Sequence, residues 1–88
     1  TVACMSVNDV FVMDAWGKSA NAEHLMMLAD GNATFTEALG LVLDGSGFGM
    51  GTRSQRFAMI VDDGLVTLLN VDAGALEGSS AEAILAAL

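Results

Sequence analysis

The chain opens on "VACMSV" (Val2–Val7), an almost continuous apolar run. That pattern predicts a central parallel strand covered on both faces. Asn8-Asp9 interrupts the run and offers an N-cap for "VFVMDAWG". There Val12, Ala15 and Trp16 share one helical face, and Gly17 is placed to stop the helix. "HLMMLA" (His24–Ala29) is a second apolar run of strand length, closed by Asp30-Gly31-Asn32. In "TFTEALG", Thr34 and Glu37 stand at capping-box spacing, Phe35, Ala38 and Leu39 share a face, and Gly40 ends the segment. "DGSGFGMGTRS" has a glycine at every second position from Gly45 to Gly51 and reads as a loop. Phe57–Val61 and Leu65–Val71 then flank Asp63-Gly64, the strongest short-range signal for a β-hairpin. Ser79 and Glu82 repeat the capping-box spacing before "AILAAL", whose Ile84, Leu85 and Leu88 would lie on the sheet.

The predicted order is β-α-β-α-β-β-α. This is an α/β arrangement with a mixed sheet and flanking helices, and it matches the back half of a thioredoxin-like fold. No internal repeat, linker or low-complexity segment interrupts it.

Composition narrows the function. The chain has 88 residues, 53% hydrophobic and 16% charged, which describes one small folded domain rather than a disordered segment. Eleven acids against three bases give a formal charge of -8, which repels a phosphate backbone and excludes nucleic acid as a partner. No apolar run reaches membrane-spanning length, and no basic, apolar leader opens the chain. A single cysteine cannot form an internal disulfide, which fits a reducing, cytoplasmic compartment. The chain begins at Thr1, enters a buried-type strand at once and contains no proline. The expectation is a sequence that starts in mid-domain, or one from which an upstream portion was removed.

Several motifs fail on inspection. Asp44-Gly45-Ser46-Gly47-Phe48-Gly49 begins like a calcium loop, but Phe48 and Gln55 occupy ligand positions. The glycine-rich loop opens into a strand, not a helix N-terminus, so a dinucleotide cradle is not supported. Asn32-Ala33-Thr34 matches a glycosylation acceptor without a secretion signal. One cysteine and one histidine do not make a metal site. No cofactor is implied. The methionines Met5, Met13, Met26, Met27, Met50 and Met59 read as flexible core filler. His24, after Glu23, reads as a surface histidine, and the scattered acids as a solvated face.

Arg56 stands at the mouth of a strand in a chain this poor in basic residues. Taken alone, it reads as half of a surface ion pair. Three stretches give it another reading: "VACMSVNDVFVMDAWGK" (Val2–Lys18), "LADGNATFTEALGL" (Leu28–Leu41) and "RSQRFAMIVDDGLVTLLNVD" (Arg53–Asp72). Together they resemble the type II, atypical, peroxiredoxin-5-like peroxiredoxins, thiol peroxidases of the thioredoxin fold. The resemblance continues in register to "SSAEAILAAL". It implies reduction of hydrogen peroxide and alkyl hydroperoxides by a cysteine thiolate. Arg56 then matches the family's active-site arginine, which stabilises the thiolate and the polarised peroxide.

The chain also departs from the family. The nucleophile of these enzymes lies in a proline–threonine–cysteine motif on a helix ahead of the strand at Val2, and no such motif is present. The resemblance therefore assigns residues 1–88 to a single partial domain, lacking the N-terminal strands and the nucleophile helix. Cys4 is not the nucleophile. It resembles either the resolving cysteine of some plant-type members or a small buried hydrophobe. Gly78-Ser79-Ser80, where other members carry a resolving cysteine, has none. Regeneration would then fall to glutathione, glutaredoxin or thioredoxin. Trp16 and Phe48 lie where family members meet as homodimers, although Trp16 equally suits packing under a helix. The rival reading is a non-catalytic, acidic, thioredoxin-like interaction or dimerisation module. Because Val2–Val7 expects neighbours on both edges, the segment alone is expected to fold poorly or to be covered by another chain.

Overall fold

The computed structural model describes all residues, Thr1–Leu88, in two compact units, Thr1–Ser54 and Gln55–Leu88. No helix is long and apolar enough to cross a membrane.

In the first unit, β1 (Ala3–Ser6) pairs in parallel with β2 (Met26–Ala29), with Cys4 opposite Met27 and Ser6 opposite Ala29. The crossover is α1 (Val10–Ser19), and Asp9 caps it by accepting the Val12 amide at 2.8 Å. Two expectations fail here. Gly17 does not stop the helix, which runs on to Ser19. The buried face is Met13 and Gly17, whereas Val12, Ala15 and Trp16 are exposed. The reason is close approach. A Cβ at Gly17 would lie 3.2 Å from Met27 Cγ, so glycine is what lets α1 sit down on β2. Residues one turn apart then decide the inward stripe, and Met13 is that turn's side chain.

After β2, α2 (Thr34–Leu39) begins differently from its predicted capping box. Its N-cap is Ala33, held at φ 59° without a side-chain bond. Asp30 does the capping, accepting the Phe35 amide at 3.1 Å, the Thr36 amide at 2.8 Å and the Thr36 hydroxyl at 2.7 Å. An aspartate placed before the turn reaches several orphan amides at once, which Thr34 cannot do. Gly40, at φ 73°, ends the helix as expected. Val7, Met13, Ala33 and Leu41, with Thr36, form the buried centre.

The glycine-rich stretch is not a plain loop. It forms a short hairpin, β3 (Val42–Asp44) and β4 (Thr52–Ser54), with a 3₁₀ turn at Ser46–Phe48 between them. The Gly45 amide donates to Gly51 O at 2.7 Å, and a Cβ at Gly45 would stand 3.0 Å from that oxygen. Glycine composition hid the strands because it serves the turn's close approach rather than disorder.

The second unit is the expected hairpin, β5 (Arg56–Asp62) and β6 (Leu65–Asp72). Asp63 and Gly64 both take positive φ, 52° and 79°, as a two-residue type I′ turn requires. A bulge between Ile60 and Val61 interrupts the register. The closing helix α3 (Ala81–Ala87) is capped by Ser80, not Ser79, through the Ala83 amide at 3.1 Å. Ala83 and Ile84 are half-buried, while Leu85 and Leu88, expected on the sheet, are exposed. Moving the cap by one residue rotates the inward stripe to positions 80, 83 and 84.

The parallel and antiparallel pairs occur as expected, but as separate two-stranded ladders. The methionines divide. Met13 is buried, Met5, Met27 and Met59 are half-buried, and Met26 and Met50 are exposed, so core filling describes only some of them. His24 is exposed.

Candidate active site

In a β-α-β unit, chemistry gathers beyond the carboxyl end of the parallel strands. At the end of β1, Asn8 donates from Nδ2 to Ser6 Oγ at 2.9 Å and approaches Met13 Sδ at 3.9 Å. Its Oδ1 accepts from Arg53 Nη1 at 2.9 Å, and the same nitrogen donates to Val7 O at 2.8 Å. Arg53 Nε donates to Met50 O at 2.9 Å. One guanidinium thus fastens the base of the glycine-rich hairpin to the "SVND" turn. Its named acceptors are all neutral, so its positive charge is held in place but not cancelled.

Sequence reasoning passed over Arg53 and singled out Arg56 from the same "RS-x-RFA" stretch. The available signal was the pattern itself, which carries two arginines. Nothing in spacing says that the first would turn back toward residues more than forty positions earlier.

Cys4 lies on β1, half-buried and free of any disulfide. Burial pushes its thiol up from the ordinary value. At neutral pH it is a protonated thiol, the reverse of an activated nucleophile.

Trp16 and Phe48 are both exposed. Phe48 stands on the 3₁₀ turn of the β3–β4 hairpin with 84% of its surface accessible. Trp16 lies on the outer side of α1, not packed beneath it.

In the second unit, Arg56 opens β5 directly opposite Asp72, the last residue of β6. Directly opposed residues in an antiparallel ladder share a face with Cβ atoms about 5 Å apart. Even so, Arg56 is exposed and enters no ion pair or side-chain hydrogen bond. The one ion pair of the chain joins Lys18 to Asp14 at 2.9 Å. Asp72 turns into its own loop. It accepts the amides of Glu77 at 3.0 Å, Gly78 at 3.1 Å and Ser79 at 2.9 Å, together with the Ser79 hydroxyl. Asn70 Nδ2 adds a bond to Gly78 O at 2.8 Å.

The Ser79 hydroxyl first, then these amides, hold the Asp72 carboxyl down at about 2, against an ordinary 3.8. A carboxyl lowered on folding stabilises the fold while ionised. Its contribution is complete above the unfolded value and disappears as pH falls from near 3.8 toward about 2. Amide resonances of Glu77, Gly78 and Ser79 should therefore lose their folded positions in that window, and Asp72→Asn should remove the transition.

The sequence pattern of the Redoxin family matches residues 1–85. Peroxiredoxin-2B of Arabidopsis thaliana is 48% identical over 89 residues, covering 99% of this chain and 55% of its own. Peroxiredoxin-2E, chloroplastic, of the same plant is 48% identical over 91 residues, covering 99% of this chain and 39% of its own. The crystal structure of reduced Prx3 from Vibrio vulnificus in complex with H₂O₂ superimposes with a TM-score of 0.91 at 63% identity, over 97% of this chain and 53% of that one. The chain thus spans roughly half, or less, of the length of the proteins it matches. Those matches agree with the β-α-β unit and the hairpin described above, and the chain belongs to the Redoxin family, with the thioredoxin-like fold of the peroxiredoxins.

Proposed function

We propose that this chain is the C-terminal part of a type II peroxiredoxin, a thiol peroxidase that reduces hydrogen peroxide and alkyl hydroperoxides. The observation that carries the reading is Arg56: an unpaired guanidinium in a chain of formal charge -8, within this chain's "RS-x-RFA" stretch, one of those that resemble the peroxiredoxins. A cation left unpaired among so many carboxylates suits an anion supplied from elsewhere.

The nucleophile comes from a segment ahead of β1. Its thiolate attacks one peroxide oxygen, the O–O bond breaks, and the leaving oxygen takes a proton to depart as water or alcohol. The cysteine is left as a sulfenic acid. Arg56 favours the thiolate before attack and the developing oxyanion during it. Arg53 holds the "SVND" turn to the base of the glycine-rich hairpin. Glutathione, glutaredoxin or thioredoxin then supplies two thiols: the first condenses with the sulfenic acid to a mixed disulfide and releases water, and the second attacks that disulfide, freeing the cysteine thiol and leaving the reductant as a disulfide. Cys4, whose thiol is pushed up by burial, is a poor attacking group for that step. We place the protein in the cytoplasm as a homodimer, with Phe48 and Trp16 at the contact.

The test is peroxide consumption by the full-length protein with each reductant. Turnover of hydrogen peroxide and an alkyl hydroperoxide, with a sulfenic acid trapped on the upstream cysteine, is the expected result. Consumption no faster than by free cysteine would favour the non-catalytic dimerisation module.

A further inference from the structure

The geometry points to Asp72 as a positioning residue: the Glu77–Ser79 loop latches its carboxylate so that Arg56, directly across the ladder, stays unpaired and available to an anion. This inference rests on the role proposed for Arg56.

Three observations carry it. Arg56 and Asp72 are register partners at the open end of the β5–β6 ladder. Opposite charges in that relation ordinarily pair, because the two side chains leave the sheet on one face within reach. They do not pair here. The carboxylate is engaged on both oxygens instead. Gly78 N donates to Oδ1, and Glu77 N, Ser79 N and the Ser79 hydroxyl donate to Oδ2.

The loop is built to make this arrangement. A Cβ at Gly78 would lie 3.2 Å from Asn70 Cβ, and Asn70 Nδ2 holds Gly78 O at 2.8 Å, so the loop backbone is drawn tight against β6. Neutral donors thereby satisfy the negative charge and leave the positive one unspent. Were Asp72 released, it would occupy the fork of Arg56 and oppose its effect on a thiolate and on a breaking peroxide bond.

The experiment uses the full-length protein and reads two quantities: the second-order rate of peroxide reduction and the pKa of the peroxidatic thiol from the pH profile of that rate. Ser79→Ala removes one donor from the latch. Asp72→Glu carries the charge on a longer arm that reaches Arg56 and no longer fits the loop. Each should slow the reaction by up to about fivefold, the ceiling for a solvent-exposed ion pair, and raise the thiol pKa. Adding Asp72→Asn to Ser79→Ala should relieve both changes, because no charge remains to capture Arg56. A loop that matters only for folding would give the opposite, since the second substitution would add damage. Wild-type rate and thiol pKa in both single variants overturn the inference, and so does slowing that Asp72→Asn fails to relieve. Arg56→Ala, measured alongside, separates the two claims. If it leaves the rate intact, the role of Arg56 itself fails. If it slows the reaction strongly while the latch variants behave as wild type, only the latch fails.

Discussion

Arg56→Ala in the full-length protein should slow peroxide reduction by about 10²–10³-fold, the loss typical of removing one preorganised donor from a developing oxyanion. Stability should change by no more than about 0.5 kcal/mol, because the side chain is exposed and makes no hydrogen bond or ion pair. That separation of activity from stability is what makes the experiment decisive. A structural arginine gives the reverse pattern, and Arg53 provides the internal contrast. Its guanidinium makes bonds of 2.8, 2.9 and 2.9 Å to Val7 O, Asn8 Oδ1 and Met50 O, so its removal should be felt in folding. Arg56→Lys should fall between wild type and alanine, since the ammonium keeps the charge but loses the planar fork. Stopped-flow peroxide consumption and urea unfolding on the same preparations give both numbers. Normal turnover in Arg56→Ala would remove the central assignment.

The elements most legible in the sequence were those fixed by local chemistry. Asp63-Gly64 demanded a two-residue turn, and the backbone supplies it with two positive φ values. Gly40 demanded a left-handed stop, and α2 ends there. Legibility failed where a distant partner decides. Gly17 reads as a stop along the chain, but it is a point of contact because β2 brings Met27 against it. Thr34 reads as a cap, but Asp30 outcompetes it by reaching around the turn. The stretch from Gly45 to Gly51 reads as a loop, but backbone bonds between Gly45 and both Met50 and Gly51, with the β3–β4 ladder, close it into a hairpin. The side-chain contacts divide along the same line. Arg56 was singled out by the resemblance to peroxiredoxins alone, since by itself it reads as half of a surface ion pair. The bonds of Arg53 and of Asp72 were not legible, since each depends on a side chain bonding to backbone groups that only folding brings near.

Met13→Ala should cost about 2–5 kcal/mol of unfolding free energy, the range for emptying a fully enclosed large side chain. Met13 is 1% exposed, more buried than the other apolar residues of the chain's centre. It sits one helical turn before Gly17, and these two are the buried residues of α1. Its sulfur also lies 3.9 Å from Asn8 Nδ2, on the side chain that Arg53 grips. Loss of Met13 therefore removes apolar burial and loosens the support of Asn8 together. Met13→Leu, which conserves volume, should cost less than about 1.5 kcal/mol. Lys18→Ala, on the same helix, should cost no more than about 1 kcal/mol, because its ion pair with Asp14 is 68% and 62% exposed. Equilibrium urea unfolding of the full-length variants ranks the three. A Met13→Ala loss as small as that of Lys18→Ala would mean that α1 is not anchored through this methionine. The close fit of Gly17 on Met27 would then have to hold the helix on its own.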